Sequence, residues 1–126
     1  MGLDMYLEGR RYAWDKIEGM PEELDGFTVK QVILELGYWR KHPNLHGYIV
    51  REFAGGKDEC QEIELTIDDL KKIAAAVEAN ELPETHGFFF GKSGDAREQD
   101  TLEQLTAAIE WAALGQGRYV YYRASW

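Results

Sequence analysis

Residues 29–38 read Val29-Lys30-Gln31-Val32-Ile33-Leu34-Glu35-Leu36-Gly37-Tyr38, and two secondary structures compete for them. Val29, Val32, Ile33 and Leu36 fit one face of a helix, and Thr28 with Gln31 has the spacing of a capping box. The unbroken run Val32-Ile33-Leu34 suits a central strand covered on both faces. β-Branched residues cluster there and Gly37 would interrupt a helix, so strand is the reading taken. With a strand at this place the chain has four.

Upstream, Leu3, Met5 and Leu7 alternate with Asp4, Tyr6 and Glu8, the period of a half-buried strand. Residues 12–26 carry Gly19, Pro21, Gly26 and several acids, and read as a long surface loop. Downstream, Pro43 opens a helix, because its missing N–H is unbonded in a first turn anyway. Leu45, Tyr48, Ile49 and Phe53 make its buried stripe, and Gly55-Gly56 ends it. Ile63, Leu65 and Ile67 alternate with Glu62, Glu64 and Thr66, giving a strand with one acidic face. Thr66 and Asp69 have capping-box spacing, so a helix begins near Ile67. Its core stripe is Leu70, Ile73 and Val77, it ends before Pro83, and Asp68 with Lys72 forms a surface pair. Residues 83–100 are a connection around Phe88-Phe89-Phe90, a short strand or a buried loop. Leu102, Leu105, Ile109 and Ala112 mark a third helix, which Gly115 and Gly117 end. Tyr119-Val120-Tyr121-Tyr122 is the last strand. The expected architecture is one α+β domain over 1–126, a mainly antiparallel sheet of about four strands with three helices packed on it.

The chain has 126 residues, with 14 basic against 23 acidic side chains and a net charge of −9. One domain of this length, 44% hydrophobic, can bury an ordinary core. No apolar run is long enough to cross a membrane, and the N-terminus lacks the pattern of a secretory signal. The single cysteine, Cys60, fits a reducing cytosol, so a cytoplasmic location is expected. An acidic chain is poorly suited to direct nucleic-acid binding, which needs a basic footprint.

Four segments carry a resemblance: MGLDMYL at 1–7, LGYWRK at 36–41 with His46 downstream, LPETHGFFFG at 82–91, and YYRASW at 121–126. In this order they resemble a family of small, functionally uncharacterised proteins of bacteriophages, prophages and bacteria. The resemblance implies a phage-linked origin, placing the protein in a host cytoplasm, and adds no catalytic role.

The chemistry-bearing motifs divide into weak lures and two better clusters. Gly87 and Gly91 precede Lys92-Ser93, but three residues intervene where a phosphate-binding loop has four, and Phe88, Phe89 and Phe90 favour a core plug. His42, His46, His86 and Cys60 are the soft metal ligands, and Pro43 stands where a zinc-protease helix needs Glu, so no metal and no cofactor is expected. Cys60 sits among acids that disfavour a thiolate, so it is a poor nucleophile. No catalytic residue is assigned.

The first cluster is Tyr38, Trp39 and Arg40 with His46, joined by Tyr121 and Arg123 from the C-terminus. Aromatic faces stack on bases and guanidinium groups, and arginine forks onto phosphate, so these residues read as a pocket for a small anionic or nucleotide ligand. Asp4 or Glu8 would recognise a ribose or an amine beside it. The bland reading is that the aromatics are core or sheet-face residues and the arginines pair with acids. The second cluster is acidic: Glu62, Glu64, Asp68 and Asp69, beside Asp58 and Glu59. It reads as a surface that docks on a host protein with a basic face, or as a solvated face that keeps the chain soluble. The leading expectation is a non-enzymatic phage-type accessory protein binding a host protein, as an anti-defence factor. The alternatives are the anionic-ligand binder and an unrecognised small enzyme.

Overall fold

The structure is a computed structural model, and residues 3–13, 19–40, 42–82, 98–115 and 117–126 are described. Side chains alternate along strand β1 (Asp4–Tyr12): Met5 and Leu7, with Leu3 just before the strand, face the core, while Asp4, Tyr6 and Glu8 face away. The contested segment is a strand, β4 (Gln31–Arg40), paired antiparallel with β1, but it is an outer strand with Ile33 and Leu34 exposed and not the central strand covered on both faces that the apolar run suggests. At the end of the stretch 12–26, where the sequence predicts a loop, and just beyond it, a hairpin forms from the two-residue strands β2 (Glu23–Leu24) and β3 (Phe27–Thr28). Its turn is Asp25-Gly26, both at positive φ, the geometry that matches strand twist in tight hairpins.

Helix α1 (Pro43–Phe53) starts at Pro43 as expected, and Gly55 and Gly56 follow it at positive φ. Strand β5 (Ile63–Leu65) stops short of Ile67, because Thr66 turns the chain into α2 (Ile67–Glu78). The capping box forms in full: Thr66 Oγ1 accepts from the Asp69 N–H, and Asp69 accepts from the Thr66 N–H. Asn80 at positive φ closes α2, with the Glu81 N–H donating back to Ala76. Lys72 does not pair with Asp68. It reaches Glu52 of α1 at 3.2 Å, where it ties two helices instead of two turns of one. Helix α3 (Glu98–Ala112) and strand β6 (Arg118–Ser125) complete the chain. The Phe88-Phe89-Phe90 plug and the Gly87–Ser93 loop lie outside the described residues.

The sheet order is β4-β1-β6-β5, antiparallel at every step, so this is a single α+β domain of the expected class. Residues from one sheet face, including Met5, Leu7, Trp39, Val120 and Tyr122, pack with Leu45, Ile49, Leu70, Ile73 and Leu105 of the helices. Leu70 and Ile73 are wholly buried, each stabilising the fold by about 1.5–3 kcal/mol. A bulge between Leu7 and Glu8 leaves Leu36 without a β1 partner, so the alternation of β4 changes phase there. This is why both Ile33 and Tyr38 lie on the face away from the helices.

Candidate functional site

The register stacks the outward side chains of the sheet in rows. Arg40, Asp4 and Ser125 form one row; Tyr38, Tyr6 and Arg123 the next; Glu35, Glu8, Tyr121 and Glu64 a third. No described helix covers this face. The Tyr38 hydroxyl donates to Asp4 Oδ1 at 2.5 Å, and that bond holds the phenol's pKa above its ordinary value. The rings of Tyr6 and Tyr38 stand 5.3 Å apart, and the Arg123 guanidinium lies 4.4 Å over Tyr6. Arg10 lies 4.1 Å over Tyr121, donates to Glu62 and comes within 3.6 Å of Glu8. Arg123 also reaches Glu8 at 3.5 Å. The face is therefore a lattice of aromatic rings, with Arg10 and Arg123 each over a ring and each beside a carboxylate.

The residues expected to form an anion pocket separate across the sheet. Tyr38, Arg40, Tyr121 and Arg123 share the open face. Trp39 and His46 lie on the other side, 4% and 2% exposed. Period-two geometry sends Trp39 opposite to Tyr38 and Arg40, into the core, where its indole N–H donates to Thr101 at 3.1 Å. His46 is held in the core by two contacts: Nδ1 lies 2.6 Å from the Tyr122 hydroxyl and Nε2 lies 2.9 Å from Asp58. Carboxylate, imidazole and hydroxyl in series resemble a catalytic relay. The Tyr122 hydroxyl is buried, and that burial pushes its pKa well above the ordinary value.

The acidic cluster also divides. Glu62 and Glu64 border a cleft of about 340 Å³ between the end of α1 and β5, which Glu59, Lys57 and Phe53 also line. Asp68 and Asp69 sit in the first turn of α2, where acids suit the positive end of the helix dipole, and Asp69 is committed to the capping box. Glu62 is paired with Arg10, which holds its carboxyl below the ordinary range. Glu59 and Glu64 are exposed. The cleft is thus lined by three acidic residues, of which Glu62 is paired with Arg10, together with Lys57 and Phe53.

Tyr6, Arg10 and Phe53 belong to this surface and were missed as site residues, whereas Glu59 was already counted beside the acidic cluster. The alternation Asp4-Tyr6-Glu8-Arg10 was the signal for the first two. For Phe53 the signal is tertiary, since the end of α1 must meet β5.

Among the described residues, no group of three or more potential metal-ligating side chains is gathered. No described helix is long and apolar enough to cross a membrane. No family model, no curated protein and no solved structure matches this chain.

Proposed function

We propose that this protein is a non-enzymatic binding module that docks on a protein with a basic surface. The observation that carries the reading is the cleft beside β5, where Glu59, Glu62 and Glu64 border a space walled in part by Phe53. A lysine or arginine side chain fits such a place: its head meets carboxylates and its apolar stem lies along an aromatic ring. The open sheet face continues from the cleft through Tyr121 and Arg10, and rigid aromatic and arginine side chains are the types enriched where proteins bind one another. The net charge of −9 steers a basic partner toward the surface. Resemblance to phage and prophage proteins supports a host protein as that partner and interference with host defence as its purpose.

The small-anion reading has less support. Arg10 and Arg123 already face carboxylates, and Trp39 and His46 are in the core.

Glu59→Lys with Glu64→Lys tests the proposal better than reversing Glu62, because Glu62 is tied to Arg10. The double variant should melt like wild type yet lose a partner captured from bacterial lysate by wild type. Calorimetry with the purified partner should show binding that weakens as salt rises. Equal affinity of wild type and double variant across the salt range would reject the proposal.

A further inference from the structure

We propose that the N-terminal half of β4 is a self-association edge, at which a second copy of this chain adds antiparallel to residues 31–35. Strand β4 is an outer strand, bonded to β1 on one side. Its two halves differ. In the C-terminal half, Gln104 of α3 reaches up and accepts from the Tyr38 N–H at 2.8 Å, so that stretch of edge is already occupied. A Cβ at Gly37 would stand 2.9 Å from the same Gln104 oxygen, so side chain and edge are in close contact. No such cover reaches residues 31–35 among the described residues. There, Ile33 is 57% and Leu34 43% exposed, on opposite faces of one strand. Natural edge strands are usually blunted by proline, lysine or a bulge, because an unpaired edge is a template for another strand. Here the bulge comes at Leu36, and the five residues before it hold no proline, no lysine and one charge, Glu35, at the end of the stretch, with Lys30 just outside it.

The bulge also fixes which register a second copy can take. Pairing cannot run smoothly through Leu36, so the usable edge is the five residues Gln31 to Glu35. Two identical strands pair antiparallel about a two-fold axis, and using all five residues puts Ile33 on that axis. The side chains then match on both faces. On the open face, Ile33 meets Ile33 of the second copy, and Gln31 meets Glu35 of the second copy. The glutamine amide can donate to the carboxylate, twice per dimer. On the helix side, Val32 meets Leu34 of the second copy. Every exposed apolar side chain of this half-strand gains an apolar neighbour, and no like charges are set opposite. The result is one continuous eight-stranded sheet. This pairing is short, so the equilibrium is expected to depend on concentration. The acidic cleft lies at the other edge, beside β5, so the dimer would leave both clefts free.

Sedimentation equilibrium from micromolar to millimolar concentration tests the proposal. Wild type should rise from 14.5 kDa toward twice that mass. Ile33→Lys puts two ammonium groups on the axis and should remain monomeric over the range where wild type is half dimer. Phe27→Ser, at an exposed hairpin position outside β4, should dimerise like wild type. The register has its own test in a Cys60→Ser background, where Ile33→Cys should cross-link to itself under mild oxidant at least tenfold faster than Gln31→Cys. A chain that stays at 14.5 kDa at millimolar concentration overturns the proposal, and so does a dimer that survives Ile33→Lys or dissolves with Phe27→Ser. Equal cross-linking rates overturn the register.

Discussion

The Nδ1 atom of His46 lies 2.6 Å from the hydroxyl oxygen of Tyr122, and both residues are buried. Nε2 faces the Asp58 carboxylate at 2.9 Å; in the tautomer with the proton on Nε2 the ring donates to Asp58 and Nδ1 accepts from the Tyr122 hydroxyl. The chain joins α1, β6 and the loop after α1. Tyr122→Phe keeps the ring and removes the donor, leaving a buried acceptor without that partner. It should destabilise the protein by about 1–3 kcal/mol. Urea unfolding at pH 7.5 measures this. A midpoint unchanged from wild type would show that the hydrogen bond contributes nothing net.

A second prediction concerns Gly9, where β1 passes over Trp111 of α3. A Cβ there would stand 2.9 Å from two atoms of the indole ring and from the Leu36 side chain. Gly9→Ala therefore forces the indole or the strand to shift and should cost about 1–3 kcal/mol, as overpacking does. Gly9→Ala combined with Trp111→Leu should recover part of the loss by making room. Thermal unfolding of the two variants checks this, and a Gly9→Ala protein that melts with wild type would refute the contact.

These two sites mark how far the sequence can be read. Strand β1, the capping box at Thr66 and Asp69, and the strand at Gln31–Arg40 follow from period, cap chemistry and β-branched clustering, all local signals. The bulge at Leu36 is not local, because it depends on how β4 meets β1. It puts Ile33 and Tyr38 on one face despite their odd spacing. Trp39 and His46 stand close to Arg40 in the chain but lie across the sheet from it, and that separation too is set by packing. The Asp25-Gly26 hairpin was legible in principle, since Asp-Gly is a strong turn signal, but its strands are two residues each and carry no period.

His42 supplies a pH prediction. It is buried at the start of α1, and burial lowers its pKa below the ordinary 6.5. In the unfolded chain it takes up a proton near pH 6.5, while in the fold it does so at lower pH. Between those values the unfolded state binds more protons, so stability falls as pH drops through this window and is fully present above it. His42→Asn should flatten that part of the profile, whatever its effect at pH 8. Urea midpoints from pH 8 to pH 5 test this. A profile with the same slope in the variant would place the titrating group elsewhere.

The last prediction separates what Glu62 does for the fold from what its neighbours do for binding. Arg10 donates to Glu62 and holds its carboxyl below the ordinary 4.5. A depressed carboxyl pKa stabilises the fold above its unfolded value, and the contribution is lost as pH falls through the folded value. The carboxylate side chain is 49% exposed, so solvent screens the pair, and the whole effect should be below about 1 kcal/mol. Glu62→Gln should therefore melt close to wild type at pH 7 and lose less stability than wild type below pH 4.5. Arg10 then keeps Glu8 and the Tyr121 ring as neighbours, so the open face persists. Partner affinity should fall several-fold in Glu62→Gln, and further in Glu59→Lys with Glu64→Lys, since one charge is removed in the first and two are reversed in the second. Thermal unfolding at pH 3.5 and 7, run beside calorimetry with the captured partner, reads both effects. A Glu62→Gln protein that loses several kcal/mol at pH 7 would make the Arg10 pair essential to the fold, and its binding loss could no longer be attributed to the cleft.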